Sequence, residues 1–580
     1  MTQQILNKFT ADFETTTLKE DCRVWAYGIF KIGSKDEFIY GNNINDFIEE
    51  CKRLKNAKLY FHNLKFDGQF ILSYLENNGY KHIKDKKEKE DKTYTTLISD
   101  MGQFYEIEIY FRVRKKTTEK VTIYDSLKIL NMSVSDVAKT FGLSIHKLEL
   151  EYTQYREIGH ILTDKELKYL RNDVEIMAQA LDIMFKENLK KMTIGSDALS
   201  NYKERIGKDK FNKYFPVLDY DIDKDIRKSY KGGFTYLNPL YKEKDVKNGI
   251  VLDVNSLYPS VMYYESLPFG QPIYFEGKYK KDELYPLYVQ NFSCYFKLRK
   301  NKIPTIQLKN NMSFMSNEYI EDSKEIVNLT LTSIDLELFF EQYDVSFVTY
   351  HSGWKFKAVK GLFREYIDYW SNVKIESKKN GNTGMYKIAK LMLNSLYGKF
   401  ALNPEVRGKI PFLDDDGIIR YKYTDKEIRE GVYLPVGTFI TSYARYKTIT
   451  TSQKLRDYSL EKYKKDYYVY SDTDSIHCLF TDSEELKNVI DIDKFRLGAW
   501  DHESSFTKAR FIRQKCYAEE LDGKMKITCA GLPKNCYDYV NWDNFHTGFT
   551  CGGKLTYEYV KGGVILVDTL FTIKEDKILN

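Results

Sequence analysis

Two sets of carboxylates stand out by type and spacing. Asp472 and Asp474 lie in Tyr470-Ser471-Asp472-Thr473-Asp474-Ser475, between the β-prone runs Tyr467-Tyr468-Val469 and Ile476-His477-Cys478-Leu479-Phe480. The pattern predicts strand, tight turn, strand, and acids at i and i+2 of an extended chain point to one side. Uncompensated neighbouring acids repel, so such a pair anticipates a cation. Standing alone, it would read as an ordinary Asp-rich turn. It does not stand alone: Asp253 ends the apolar run Gly249-Ile250-Val251-Leu252. A third carboxylate of this kind is what a two-metal phosphoryl-transfer centre requires. Tyr258, in the turn after Asp253, is suited to pack under an incoming sugar, where its ring would clash with a ribose 2′-hydroxyl. The alternative is a core tyrosine.

The second set is N-terminal. In Phe9-Thr10-Ala11-Asp12-Phe13-Glu14-Thr15-Thr16-Thr17 a strand would put Asp12 and Glu14 on one face and Phe13 on the other. Tyr60-Phe61-His62-Asn63-Leu64-Lys65-Phe66-Asp67-Gly68 reads as a short apolar strand running into a polar end. Thr163-Asp164-Lys165-Glu166 has the form of a capping box; the helix it opens carries Tyr169 and Asp173 on one face. Asp12, Glu14, Asp67 and Asp173 thus supply four acids from separate elements, as two hard divalent cations about 3.5–4 Å apart need. Such a centre activates water and stabilises the leaving oxygen of a phosphodiester. Tyr169 could orient that water, and Lys147 could stabilise the developing charge. Singly, each acid reads as a surface residue; the arrangement raises the odds.

Between the two sets lies a basic helix. In Tyr386 to Gly398, Lys387, Lys390, Asn394 and Tyr397 fall on one face, while Leu391, Leu393 and Leu396 can pack elsewhere. One face then offers cations for a triphosphate and a ring for a base, although a surface amphipathic helix has similar spacing. Gly398 is expected to end the helix. Residues 355–400 hold ten Lys/Arg against three acids, and 505–517 hold Lys508, Arg510, Arg513 and Lys515 with none. Such patches are the footprint of phosphate binding or a solvated face. In Ser229-Tyr230-Lys231-Gly232-Gly233-Phe234 the paired glycines permit a bend. Tyr230 and Lys231 could hold a passing strand, or the stretch is a simple hinge.

These elements need more than one core. At 580 residues the chain calls for two or more domains, and 42% hydrophobic residues supports globular folding. A net charge of +6 neither demands nor excludes nucleic acid. Aromatic residues make up 15%, with 48 Tyr and 35 Phe; rings could stack on bases, though most belong in cores. The eight cysteines include no CxxC pair, which argues against zinc and for reduced cytosolic thiols. Met1-Thr2-Gln3-Gln4-Ile5 does not read as a signal peptide, and no apolar run is long enough to span a bilayer. Residues 84–92 read as a solvated charged loop, 94–100 and 104–113 as β-runs, and 405–427 as a β-hairpin with an acidic tip.

In order along the chain, these motifs resemble those of family B DNA polymerases. Asp12-x-Glu14, Asn63-x-x-Phe66-Asp67 and Tyr169-x-x-x-Asp173 are similar to the three proofreading exonuclease motifs. Tyr230-x-Gly232-Gly233 resembles the linker that steers template between the two sites. The stretches around Asp253, Lys390–Gly398 and Asp472–Asp474 resemble motifs A, B and C. Thr441-x-x-x-Arg445 resembles a primer- and template-contacting stretch, and Lys515-x-Tyr517 the motif that grips the primer. The closest likeness is to the protein-primed, phi29-like phage replicases, on compact length and two insertions.

The resemblance implies an α/β multidomain fold: an RNase H-like 3′–5′ exonuclease domain (1–193) and a right-hand polymerase domain. The latter would comprise palm (194–264 and 428–531), fingers (362–401), thumb (532–580) and two terminal-protein-region insertions (265–361 and 402–427). It implies catalysis by Asp253, Asp472 and Asp474 and by Asp12, Glu14, Asp67, Asp173, Tyr169 and Lys147. Two Mg²⁺ per site, with Mn²⁺ as substitute, would be held by Asp253, Val254 and Asp474, and by the four N-terminal acids. Tyr258, Lys374, Lys390, Asn394 and Tyr397 would bind nucleotide. Asn63, Tyr230, Gly232, Gly233, Thr441, Arg445, Lys515 and Tyr517 would bind DNA, with Asn63 on the primer terminus. Expected partners are template and primer DNA, dNTPs, a terminal protein as primer and a single-stranded DNA-binding protein. The expected setting is a monomer in the cytoplasm of an infected bacterium, copying a linear viral genome processively with strand displacement. Two alternatives stand beside this: an RNA- or DNA-primed enzyme without a terminal protein, and a non-enzymatic DNA-binding factor with relic sites.

Overall fold

The computed structural model describes residues 7–308 and 317–574. The Met1–Ile5 segment lies outside the described residues.

The N-terminal part is a mixed eight-stranded sheet. Its order is Phe38–Gly41, Val24–Lys31, Lys8–Thr15, Lys58–Phe61, Thr118–Asp125, Phe104–Val113, Thr93–Ile98 and Lys81–His82. Lys8–Thr15 runs parallel to Lys58–Phe61, which runs parallel to Thr118–Asp125. Parallel strands need cover on both faces, and the helices Ile44–Arg53, Leu64–Asn77 and Asp164–Lys186 supply it. The capping box forms as read: Thr163 and Glu166 each satisfy the other's backbone amide. The charged stretch 84–92 is exposed and holds a single 3₁₀ turn, Lys86–Glu88, capped by Asp85.

A second sheet carries the middle and C-terminal motifs. Its seven strands run Lys524–Cys529, Cys516–Leu521, Trp500–Arg513, Asp245–Val254, Ser475–Cys478, Tyr468–Asp472 and Thr235–Leu237. The pairings recorded within it are antiparallel. The 30-residue helix Leu434–Tyr463 lies against it and is buried over most of its length. Among the described residues of 265–361, a four-stranded sheet and the helix Ser333–Gln342 enclose an apolar cluster that includes Phe292, Phe296, Phe339 and Tyr343, while Leu267, Leu287, Val289 and Phe356 join the main core. Within 402–427, Lys409–Leu413 pairs with Ile419–Tyr423 as the expected hairpin, flanked by a short Glu405–Val406/Glu427–Ile428 pair. The C-terminal hairpin Thr550–Val560/Gly563–Thr572 reaches back to the helix Leu64–Asn77, where Phe70 packs on Gly563. One apolar cluster crosses position 532: Ile512, Cys516 and Cys529 share it with Leu532, Phe545 and Phe571.

Two local expectations are corrected. The basic helix runs from Thr383 to Phe400, straight through Gly398. A Cβ at Gly398 would meet nothing, so no turn is forced there. Phe400 is buried against Phe211, Phe215 and Phe363, and that packing draws the helix onward. Nor are Asp472 and Asp474 an extended i, i+2 pair. Thr473 is left-handed at φ 59°, and the Asp474 amide bonds back to the Asp472 carbonyl at 2.7 Å.

Candidate active sites

The first sheet brings its four acids together. Asp12 and Glu14 leave the Lys8–Thr15 strand opposite Phe13, whose ring is edge-on to Phe47 and Phe61. Asp67 sits in the first turn of Leu64–Asn77 and Asp173 on the buried face of Asp164–Lys186. Burial pushes Asp12 up to about 7, helped by the charge of Asp173. Burial also lifts Glu14 and Asp67, each further raised by Asp12, and lifts Asp173 against the pull of Lys147. Lys147 forms an ion pair with Asp173. Asp67 Oδ1 and Asp173 Oδ1 are buried with no hydrogen-bond partner. Buried, unpartnered carboxylate oxygens pushed toward protonation by one another are suited to hard cations. Among the described residues, however, no three His, Cys, Asp or Glu side chains are arranged to hold a metal ion as they stand.

Around these acids, Tyr169 is buried and its hydroxyl meets that of Tyr152. Tyr152 escaped the sequence reading; its only signal is a position five residues past Lys147. Asn63, left-handed at φ 81°, donates its amide nitrogen to Asp125 and its side chain to Tyr557 of the C-terminal hairpin at 3.1 Å.

The second sheet assembles the other set. Asp253 lies opposite Ser475, and the Val254 amide donates to the Asp474 carbonyl at 2.8 Å. Asp253 is pushed up to about 7 by burial first and then by Asp474. Asp474 is raised by burial, Asp472 and Glu503. The charge of Lys390, on the basic helix, opposes that rise in both Asp253 and Asp474. Lys374 is held below the ordinary lysine range by burial first, then by the charges of Lys390 and Lys378. Asn394 is exposed on the same helix. The rings of Tyr258 and Tyr397 stack.

Glu503 was missed by the sequence reading. Its strand pairs with Asp253 through Asp501, and the i, i+2 acids Asp501 and Glu503 were the available signal. Asp472 is otherwise engaged: it accepts from Thr235 and Tyr470, and Lys515 Nζ lies 3.3 Å away.

Residues 48–492 match the family model for DNA polymerase type B, organellar and viral. The chain is 46% identical to the DNA polymerase of Bacillus phage Nf, over 98% of this chain and 99% of that one. It is 44% identical to that of Bacillus phage phi29 with the same coverage. A solved structure of phi29 DNA polymerase complexed with primer-template DNA superposes with a TM-score of 0.91, at 43% identity, covering 98% of this chain and 100% of that one.

The chain belongs to the phi29-like type B DNA polymerases. It is a DNA-directed DNA polymerase, and the two-domain exonuclease-plus-polymerase architecture expected from sequence is the one observed.

In this polymerase the remaining predicted contacts divide. Gly233 approaches motif C so closely that a Cβ would lie 2.5 Å from Thr473 Oγ1, and the Thr473 amide donates to the Phe234 carbonyl. Tyr230 is half-buried near Tyr397. Tyr517 packs against Phe511, Tyr470 and His477, and the Lys515 amide donates to the Tyr470 hydroxyl. Thr441 and Arg445 are held within the protein. Thr441 is buried and bonds back to its own helix. Arg445 is buried in an ion pair with Asp335 and donates to the Lys231 and Gly232 carbonyls. Arg445 thus ties the linker to the helix Ser333–Gln342.

Proposed function

We propose that this polymerase extends a primer on a DNA template at the Asp253/Asp474 site and trims 3′ ends at the Asp12/Glu14/Asp67/Asp173 site. The observation that carries the first half is the meeting of two half-buried acids, Asp253 at a strand end and Asp474 in the turn beside it, under the charge of Lys390. Asp253, Asp474 and the Val254 backbone would hold Mg²⁺, or Mn²⁺ in its place. Bound there, the ions supply charge neutralisation for a 3′-hydroxyl attacking an α-phosphate with pyrophosphate leaving. Lys390 and Lys374 neutralise the triphosphate, Asn394 lies on the same face, and Tyr397 backs the nascent base pair. Tyr258 lies under the sugar. Lys515 and Tyr517 hold the primer, and the Gly232-Gly233 bend passes template. Phi29 DNA polymerase is described in complex with primer-template DNA and incoming nucleotides, which supports these partners here.

The nuclease reading rests on the four buried acids and their unpartnered oxygens, which would take the same cation. Tyr169 and Tyr152 orient water, Lys147 stabilises developing charge, and Asn63 holds the primer end. The four-stranded sheet within 265–361, with an apolar cluster of its own, supports a dedicated partner, a terminal protein serving as primer. The 402–427 hairpin packs on the first sheet, Tyr421 on Gln69, and would help enclose DNA for processive, strand-displacing synthesis. No helix among the described residues is long and apolar enough to cross a membrane; the proposed setting is a monomer in the cytoplasm of the infected bacterium, with a single-stranded DNA-binding protein as accessory. Incubation with dATP, Mg²⁺ and the terminal protein should leave a nucleotide covalently on that protein. Extension of DNA primers without such labelling would favour the alternative primed by nucleic acid.

A further inference from the structure

The polymerase carries a thiol pair that its chemistry does not use. Cys516 and Cys529 face each other across the antiparallel strands Cys516–Leu521 and Lys524–Cys529. The Ala530 amide donates to the Lys515 carbonyl at 2.8 Å. That bond flanks a non-hydrogen-bonded pair, whose Cα atoms stand about 4.5 Å apart, within the span of a disulfide. The two Sγ atoms are 3.1 Å apart. Cys516 is fully buried and Cys529 is 6% exposed. Lys524–Cys529 is the outermost strand of its sheet, so Cys529 is the thiol that solvent reaches first. The hydrogen bond from Cys516, aided by Arg513 and opposed by burial, holds the Cys529 thiol below the ordinary range; a thiolate is the attacking form.

We propose that Cys516 and Cys529 are a reversible oxidation site, closing to a cross-strand disulfide on exposure to hydrogen peroxide. Cys529 sulfur attacks one peroxide oxygen, the O–O bond breaks, and the departing hydroxide takes a proton to leave as water. Cys516 sulfur then attacks the resulting sulfenic sulfur, the S–S bond forms, the S–O bond breaks, and a second water leaves. The two thiols lose two electrons and two protons to the peroxide. Closure from 3.1 Å to about 2.05 Å acts on the turn that carries Lys515. That residue is already left-handed at φ 56°, and its ammonium lies 3.3 Å from Asp472. The disulfide therefore ties the Lys515 turn to oxidant, and its effect on synthesis rests on the proposed primer-holding role of Lys515.

The test treats the full chain with hydrogen peroxide, blocks remaining thiols with N-ethylmaleimide under unfolding conditions, and maps peptides by mass spectrometry. The expected result is a peptide pair joined through Cys516 and Cys529, lighter by the two thiol hydrogens, reversed by dithiothreitol and lost in Cys529→Ser. Recovery of both residues as maleimide adducts, or linkage of either to Cys536 or Cys551, would overturn the proposal. On primed DNA the oxidised protein should show a rise of about threefold or more in KM for primer-template, absent in Cys529→Ser. A linked peptide with unchanged KM overturns the coupling to Lys515. Failure of the reduced protein to extend any primer instead strikes the proposed function and leaves the thiol chemistry to be judged by the peptides.

Discussion

The ring of Tyr258 lies over that of Tyr397, centroids 4.0 Å apart and planes 24° from parallel. One ring comes from the helix after the Asp253 strand, the other from the basic helix. Each ring restrains the other; in the proposed function, a sugar entering above Asp253 would meet a rigid wall instead of a mobile side chain.

Tyr258→Val removes that wall. The variant is expected to incorporate ribonucleotides more readily, by roughly 10–200-fold in relative kcat/KM, the scale of small steric discriminations. Competition between dATP and ATP on one template measures it. Unchanged discrimination would place the steric gate elsewhere.

The two acid clusters sit on different sheets, so they should fail separately. Asp474→Ala is expected to abolish primer extension and to spare 3′–5′ degradation of single strands. Asp12→Ala with Asp67→Ala should do the reverse. Loss of both activities in either variant would contradict two independent sites. A chelator should silence both activities, and added Mg²⁺ should restore them.

Arg445 and Asp335 are both nearly fully buried and bound to each other. Arg445→Ala strips Asp335 of its ion-pair partner, leaving it the Ser442 and Thr332 hydroxyls, which costs about 3–5 kcal/mol and frees the Lys231–Gly232 carbonyls. A lowered urea midpoint is expected, with part of it recovered in the Arg445→Ala/Asp335→Ala double variant. A purely DNA-contacting Arg445 would instead leave the midpoint unchanged and weaken only template binding.

Asp197 supplies a pH signature. Its Oδ1 accepts from the Lys190 and Lys191 amides, but Oδ2 is buried without a partner, and burial raises it to about 6. The folded state therefore holds this proton more tightly than the unfolded chain. The stabilisation is complete below the ordinary Asp range near 4 and is lost as pH rises through about 6. Asp197→Asn keeps an acceptor for the two amides and removes the charge. Its Tm relative to the unaltered protein should be higher at pH 8 than at pH 4.5; a pH-independent difference would show that Asp197 is not strained by its charge.

Much of this protein was legible in one dimension. Motif order, the capping box at Thr163, the Phe13/Asp12–Glu14 alternation and the 409–423 hairpin follow from local propensity and periodicity, which act over a few residues. Local rules failed where packing intervened. Gly398 does not end its helix because Phe400 finds an aromatic core, and Thr473 turns left-handed beneath Gly233. The sequence could nominate Asp253, Asp474 and Lys390, between 84 and 221 positions apart, but their meeting depends on strand register and helix docking. Tyr152, the Arg445–Asp335 pair and the Cys516–Cys529 pair emerge only from that packing, and Glu503 is singled out by it from a common i, i+2 acidic pattern. Electrostatic and thiol chemistry act over a few ångströms of space, and spacing along a chain does not encode that distance.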